Sequence, residues 1–229
     1  MKKTVIVVAG GKGVRMGSEL PKQFMQLGGQ PLLMHTMDLF HRYDCNINIV
    51  LGLAEENIPR WEYLCKNLDF KIPHCITPGG ETRFHTVKKA LEEVSRDSIV
   101  AIHDAVRPLV SRDTIDRCFD AAVRSGAAIP CVKVPETLRE IRQGKNIWVD
   151  RRSFRLVQTP QVFFYDILIK AYQQEYLDVF TDDASVVEKA GYPVSLVEGN
   201  PENLKITSPE DLIYAESILG SFREKSGFF

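Results

Sequence analysis

The sequence predicts an α/β fold in which helices cover both faces of a mostly parallel sheet and a two-stranded β-arm protrudes. Three observations carry that reading. Short apolar runs alternate with amphipathic stretches along most of the chain, a glycine-rich turn follows the first apolar run, and residues 136–157 break the alternation.

In chain order, strands are expected at Thr4–Val8, Ile47–Leu51, Lys71–Thr77, Ile99–His103, Ala128–Val134 and Val194–Val197. Helical patterns lie between them at 31–43, 57–68, 83–95 and 112–125, the last opened by Ser111 as N-cap with Asp113 in its first turn. Residues 182–190 run from Thr181 as cap to Gly191 as stop, and S-P-E-D at 208–211 opens a helix over 209–219. Residues 136–157 alternate like strands around Gly144-Lys145-Asn146, which reads as a hairpin excursion. An isolated hairpin is marginal in water, so a second subunit is its natural support. No repeat, low-complexity segment or linker divides the chain, and 1–229 is expected to be one domain.

With 229 residues, 44% hydrophobic, 26% charged and a net charge of -1, the chain has the profile of a soluble globular protein and lacks the basic excess of a general nucleic-acid binder. No apolar run approaches the roughly 20 residues that span a bilayer. Two lysines and an apolar run at the N-terminus mimic a signal peptide, but the run is short and ends in glycines, as a first strand would. Five widely spaced cysteines without C-x-x-C point to a reduced, cytoplasmic protein rather than a disulfide framework or zinc site. His35, His41, His74, His85 and His103 make no metal-ligand spacing, and His103 reads as a structural histidine at a strand end.

Residues 9–22, AGGKGVRMGSELPK, place Gly10, Gly11, Gly13, Arg15 and Lys22 just after the first strand. Glycines between a parallel strand and a helix present backbone N–H groups to an anion, and this is the end of an open α/β sheet where ligands bind. The spacing fails the P-loop pattern, and Met16 stands where G-x-G-x-x-G needs its third glycine. A polyphosphate cradle with side-chain cations remains.

A-G-G-x-G-x-R-M-G followed by P-K-Q-F resembles the nucleotidyltransferases that activate sugars and alcohols. G-G-E-T-R (79–83), H-D-A-V-R-P (103–108), Q-T-P-Q (158–161), T-D-D-A-S (181–185) and E-G-N-P-E-N-L-K-I-T (198–207) narrow the resemblance to the 2-C-methyl-D-erythritol 4-phosphate cytidylyltransferase family, in that family's order and over nearly the whole chain. Two positions depart from it: the usual Ala-Ala-Gly is Ala9-Gly10-Gly11, and the usual serine is Thr86. A loop beginning A-G-G is also common in the sister family acting on ribitol 5-phosphate, which shares three of these blocks. D-R-R-S at 150–153 and E-N-L-K-I-T-S-P-E-D favour methylerythritol. A nucleotide-binding regulator without catalysis is the alternative of a different class.

The resemblance implies a Rossmann-like sheet and cytidylyl transfer from CTP, with Mg²⁺, to a sugar-alcohol phosphate. It also implies a homodimer in which each β-arm reaches the other active site. Arg15, Lys22 and Lys205 take the catalytic roles on the phosphates. Ala9, Gly10, Gly11, Gly13, Gly80, Glu81, Thr86 and Asp104 bind CTP. Asp104, Arg107, Thr137, Arg151 and Thr159 bind the acceptor, with Arg107 open to a second reading as a structural partner of Asp104. Mg²⁺ is expected mainly on the CTP phosphates with Asp104 as a possible ligand, and Arg83 is expected to support structure.

Overall fold

Alternation along the first strand decides the layers. In β1 (Lys2–Ala9), Val5, Val7 and Ala9 face one way and Ile6 the other, and each set joins a different core. The computed structural model describes residues 1–10 and 20–226, with side chains to residue 220. The Val5–Val7–Ala9 face is covered by α1 (Leu32–Tyr43), α2 (Ile58–Asn67) and α4 (Arg112–Ser125) through Met34, Met37, Phe40, Trp61 and Phe119. The opposite face is covered by α3 (Arg83–Ala90), α5 (Tyr165–Ala171) and α6 (Asp183–Lys189) through Phe84, Val87, Leu168 and Val187.

The eight-stranded sheet centres on β1, which pairs in parallel with β4 (Asn48–Leu53) on one side and β6 (Ser98–Asp104) on the other. β5 (Cys75–Pro78) extends the β4 edge, also in parallel. Beyond β6, β11 (Gln161–Phe164) runs antiparallel to both β6 and β7 (Ala127–Lys133), while β12 (Ser195–Glu198) closes the far edge parallel to β7. β10 (Arg155–Val157) is antiparallel to β7 as well. β11 and β12 both pair Ala128, and β10 and β12 both pair Cys131, so β10 and β11 share the side of β7 away from β12. The mostly parallel, Rossmann-like sheet with helices on both faces is therefore present.

The expected strands and helices are found with shifted ends. Pro73 lacks a ladder donor, so the strand expected from Lys71 starts at Cys75. The helix expected over 83–95 ends at Ala90 and tightens into a 3₁₀ turn at Leu91–Glu93. Ser111 caps α4 as expected, accepting from Thr114 N–H. The cap of α6 is Asp182 rather than Thr181: its carboxylate accepts from Ser185 N–H and the Ser185 hydroxyl accepts from Asp182 N–H, a reciprocal box. β10, β11, α5 and the short β2 (Gln26–Leu27) and β3 (Gln30–Pro31) add to the sequence reading. α7 (Pro209–Ser226) outruns its expected end and joins Leu27, Leu32 and Ile206 in a third apolar cluster.

Within 136–157, β8 (Leu138–Arg142) and β9 (Lys145–Val149) form a hairpin that shares no ladder with the main sheet. Its turn is Gln143-Gly144, both at positive φ, one residue before the expected triplet, as a two-residue hairpin loop requires. Arg151–Ser153 form a 3₁₀ turn, and 155–157 return to the main sheet as β10 rather than staying in the arm.

Candidate active site

Parallel pairing aligns the carboxyl ends of β1, β4, β5 and β6, with Asp104 opposite Val8, one residue before Ala9. Around this end the chain threads four of its motifs through backbone ties. Gln23 of P-K-Q-F is buried and donates to the Ala9 carbonyl at 3.0 Å, and Ala105 N–H donates to the Val8 carbonyl at 3.1 Å. Ile206 N–H donates to the Val106 carbonyl at 3.0 Å, which sets N-L-K-I-T beside H-D-A-V-R-P. Lys22, held in a 3₁₀ turn opened by Pro21, donates to the Thr207 carbonyl at 3.3 Å. Lys22 is thus tied to the segment that carries Lys205, two residues before Thr207.

Asp104 is the electrostatic centre. One carboxylate oxygen faces Arg83 Nε at 3.4 Å, and the other faces Arg107 Nε and Lys205 Nζ, each at 3.1 Å. Burial alone would raise its pKa, but the combined pull of Arg83, Lys205 and Arg107 holds the carboxyl well below the usual range. Arg83 also grips the fully buried Asp183 through both terminal nitrogens, and the Tyr172 hydroxyl donates to the same carboxylate at 2.6 Å. Burial, then the Asp183 charge, pushes the Tyr172 phenol up, so it stays a donor.

A buried relay fixes the backbone beneath Asp104. His103 Nε2 lies 3.0 Å from the Arg107 carbonyl, which can only accept, so Nε2 carries the proton and Nδ1 is an acceptor. The Thr159 hydroxyl therefore donates to Nδ1 at 3.0 Å and accepts from Asp104 N–H at 3.2 Å. Burial pushes the His103 pKa down to about 4, in keeping with a neutral ring, and the structural reading of this histidine holds.

A cleft of about 250 Å³ opens over this cluster, lined among others by Arg83, Asp104, Arg107, Thr159, Asp182 and Lys205. The expected site residues divide by position. Lys205, Asp104 and Arg107 converge while Lys22 bonds to the Thr207 carbonyl, and the Arg107 guanidinium is engaged by Asp104 and the Asn203 carbonyl (2.8 Å), in line with its structural reading. Thr159 lines the cleft with its hydroxyl already engaged. Gly80 and the exposed Glu81 sit in the turn between β5 and α3. Thr86, expected to bind CTP, is buried, and its hydroxyl is already bonded to the Thr82 carbonyl and the Gly80 N–H. Thr137 and Arg151 are exposed on either side of the β8–β9 hairpin, where Arg151 donates to the Pro135 carbonyl. Gly11, Gly13 and Arg15 lie outside the described residues.

Asp183, Tyr172, Asp182 and Gln161 were not singled out in the sequence. Gln161 donates to Asp182 at 2.8 Å and accepts from Ala184 N–H, which fixes α6 against β11. For Gln161, Asp182 and Asp183 the signal was present in Q-T-P-Q and T-D-D-A-S, whereas Tyr172 lies outside both motifs.

Among the described residues, no group of three or more His, Cys, Asp and Glu side chains is placed to hold a metal ion. The carboxylates nearest the cleft are also engaged: Asp104 by three cations, Asp183 by Arg83 and Tyr172, Asp182 by Gln161 and Ser185. That donor set does not fit a protein-held Mg²⁺, and it gives Asp104 little capacity to act as a ligand.

Comparison with known proteins places this geometry. Residues 3–221 match the family model of 2-C-methyl-D-erythritol 4-phosphate cytidylyltransferase. A protein of that name from Bacteroides fragilis is 52% identical over 219 residues, which covers 96% of this chain and all of the relative. One from Geobacillus kaustophilus is 40% identical, covering 96% of this chain and 98% of the relative. Among solved structures, the 2-C-methyl-D-erythritol 4-phosphate cytidylyltransferase of Thermus thermophilus superposes with a TM-score of 0.74 at 35% identity, covering 93% of this chain and 97% of that one. A near full-length match in sequence and in fold makes this chain a member of the 2-C-methyl-D-erythritol 4-phosphate cytidylyltransferase family.

Proposed function

We propose that this protein transfers the cytidylyl group of CTP to 2-C-methyl-D-erythritol 4-phosphate, giving CDP-methylerythritol and pyrophosphate, a step of non-mevalonate isoprenoid precursor synthesis. The observation that carries the reading is the contact of Lys205 with the Asp104–Arg107 cluster at the carboxyl end of the sheet, with Lys22 tied to the Thr207 carbonyl two residues on, within motifs of this family.

The acceptor's phosphate oxygen attacks the α-phosphorus of CTP and the bond to pyrophosphate breaks. A phosphate monoester has a second pKa of about 6, so the nucleophile is already ionised at neutral pH and no protein base is needed. The work left to the protein is to hold anions together and stabilise charge. Lys22 and Lys205 neutralise the α-phosphate, and Arg15 holds the β- and γ-phosphates. Gly10, Gly11 and Gly13 offer backbone N–H groups to the triphosphate, while Gly80 and Glu81 meet the base. Asp104 receives the hydroxyls of ribose and acceptor and keeps Lys205 in place until the phosphates arrive. Any Mg²⁺ would be held by the triphosphate rather than by the engaged carboxylates of the cleft, and would offset phosphate charge there.

The small cleft suits a polyol phosphate better than a whole nucleotide. Thr137 and Arg151 complete acceptor binding across a homodimer, each arm serving the partner's cleft. Supporting this, Ile141, Trp148 and Phe154 are exposed in and beside a hairpin that cannot stand alone. All five cysteines are free thiols, which suits a reducing cytoplasm. In the described chain no helix is long and apolar enough to cross a membrane.

The test is pyrophosphate release from CTP and Mg²⁺ with methylerythritol 4-phosphate and ribitol 5-phosphate in parallel. Release with the former alone is expected. Release with ribitol phosphate alone would overturn the acceptor, and silence with both would overturn catalysis.

A further inference from the structure

Thr86 lies in α3 with no exposed surface. Its hydroxyl donates to the Thr82 carbonyl at 3.0 Å and accepts from Gly80 N–H at 3.0 Å. A β-branched side chain in a helix has few χ1 choices, so fixing the hydroxyl also fixes the methyl.

Two glycines from other segments face these γ atoms. A Cβ on Gly52, inside β4, would fall 2.6 Å from the Thr86 methyl, and the next nearest atoms, the Thr86 and Val7 carbonyl oxygens, would be 3.9 Å away. A Cβ on Gly10, directly after β1, would fall 2.6 Å from the Thr86 hydroxyl oxygen and 3.3 Å from the methyl. Neither glycine is among those with positive φ, so close approach rather than backbone conformation demands glycine there. Gly10 and Thr86 are also the two positions at which the sequence departs from the motifs it otherwise resembles, and in the fold they face each other.

We propose that Thr86 is a positioning residue that fixes the spacing between the end of β1 and the Gly79-Gly80 turn, and that Gly10 and Gly52 are the glycines that admit its two γ atoms. The hydroxyl acts through the Gly80 backbone rather than on the base. Cytosine is then met by the backbone of the 80–81 turn, whose position depends on Thr86. This rests on the reading of that end of the sheet as the CTP site.

The experiment is a cycle of Gly52→Ala, Thr86→Ser and the double variant, with melting of the ligand-free protein and separate KM for CTP and kcat as readouts. Gly52→Ala is expected to lower Tm by about 3–8 °C through overpacking. It should raise KM for CTP about tenfold while kcat changes less than about threefold. Removing the methyl in the double variant should return KM for CTP to within about twofold, and Tm to within about 2 °C, of Thr86→Ser alone. Thr86→Val keeps the shape and removes the hydroxyl, and it should raise KM for CTP by about tenfold on its own. Gly52→Ala and the double variant being equally impaired, or Tm moving without KM, would overturn the proposal. A wild-type protein that does not turn over CTP would instead overturn the functional reading, while the melting cycle would still decide whether the Thr86 methyl excludes a side chain at position 52.

Discussion

Arg83 and Asp183, 100 residues apart in sequence, form a two-pronged ion pair at 2.8 and 2.7 Å whose carboxylate is fully buried. The same guanidinium turns its Nε toward Asp104. The pair thus ties α6 to the residue at the centre of the cleft.

Removing one partner of a buried pair leaves an uncompensated charge, which costs about 3 kcal/mol or more. Asp183→Asn is expected to lower Tm by roughly 6–12 °C in thermal denaturation of this chain length. A change under about 2 °C would show that the pair does not hold α6 in place.

Lys205 touches the Asp104 carboxylate at 3.1 Å and sits where the α-phosphate is proposed to react. Lys205→Met is expected to reduce kcat by about 10²–10³-fold, the range for loss of one preorganised charge-stabilising donor. The KM for the acceptor should move far less. Steady-state rates with each substrate varied separately check this, and a defect confined to KM would remove Lys205 from the transition state.

Two titrations shape acid stability in different windows. His103 has its pKa lowered by burial to about 4, against an ordinary value near 6.5, so the unfolded chain binds the extra proton first. The stability that the neutral ring contributes is complete above about pH 6.5 and is lost as pH falls toward 4, by about 3 kcal/mol. Asp104, held low by its cations, retains its contribution through that window and loses it only at more acid pH. Melting curves from pH 7 to 4.5 should therefore fall steeply for the wild type and flatten for His103→Gln. Parallel slopes would contradict the neutral-ring relay through Thr159.

The β8–β9 hairpin, proposed as a dimerisation arm, exposes Ile141 and Trp148. Replacing both with Asp is expected to give a monomer by analytical ultracentrifugation. CTP binding should survive, while turnover of the acceptor should fall by about 10²-fold or more through loss of the partner's positioning groups. A monomer with full activity would place acceptor binding within one subunit.

The parallel core was legible because its strands are short apolar runs, with local cues such as the Ser111 cap opening a helix between them. β10 and β11 were not, because Thr159-Pro160 interrupts them and their partners β6 and β7 lie far back in the chain. The α6 cap was placed one residue early because Thr181 and Asp182 are both cap formers, and the choice depends on the reciprocal bond with Ser185. Among site residues, Lys205 and Asp104 were each marked by the motif that holds them, but their 3.1 Å contact came from the fold. The Arg83–Asp183 pair and the Thr86 contacts needed three-dimensional distances, because no local pattern joins residues so far apart.

The central claim is direct attack of the acceptor phosphate on CTP, with charge stabilisation and no protein nucleophile. The measurement that tests it most directly is the stereochemical course at the α-phosphorus, using a single diastereomer of CTP carrying sulfur on that phosphorus. One in-line displacement predicts inversion in the CDP-alcohol product. Retention would require two displacements through a cytidylylated protein group and would contradict the account.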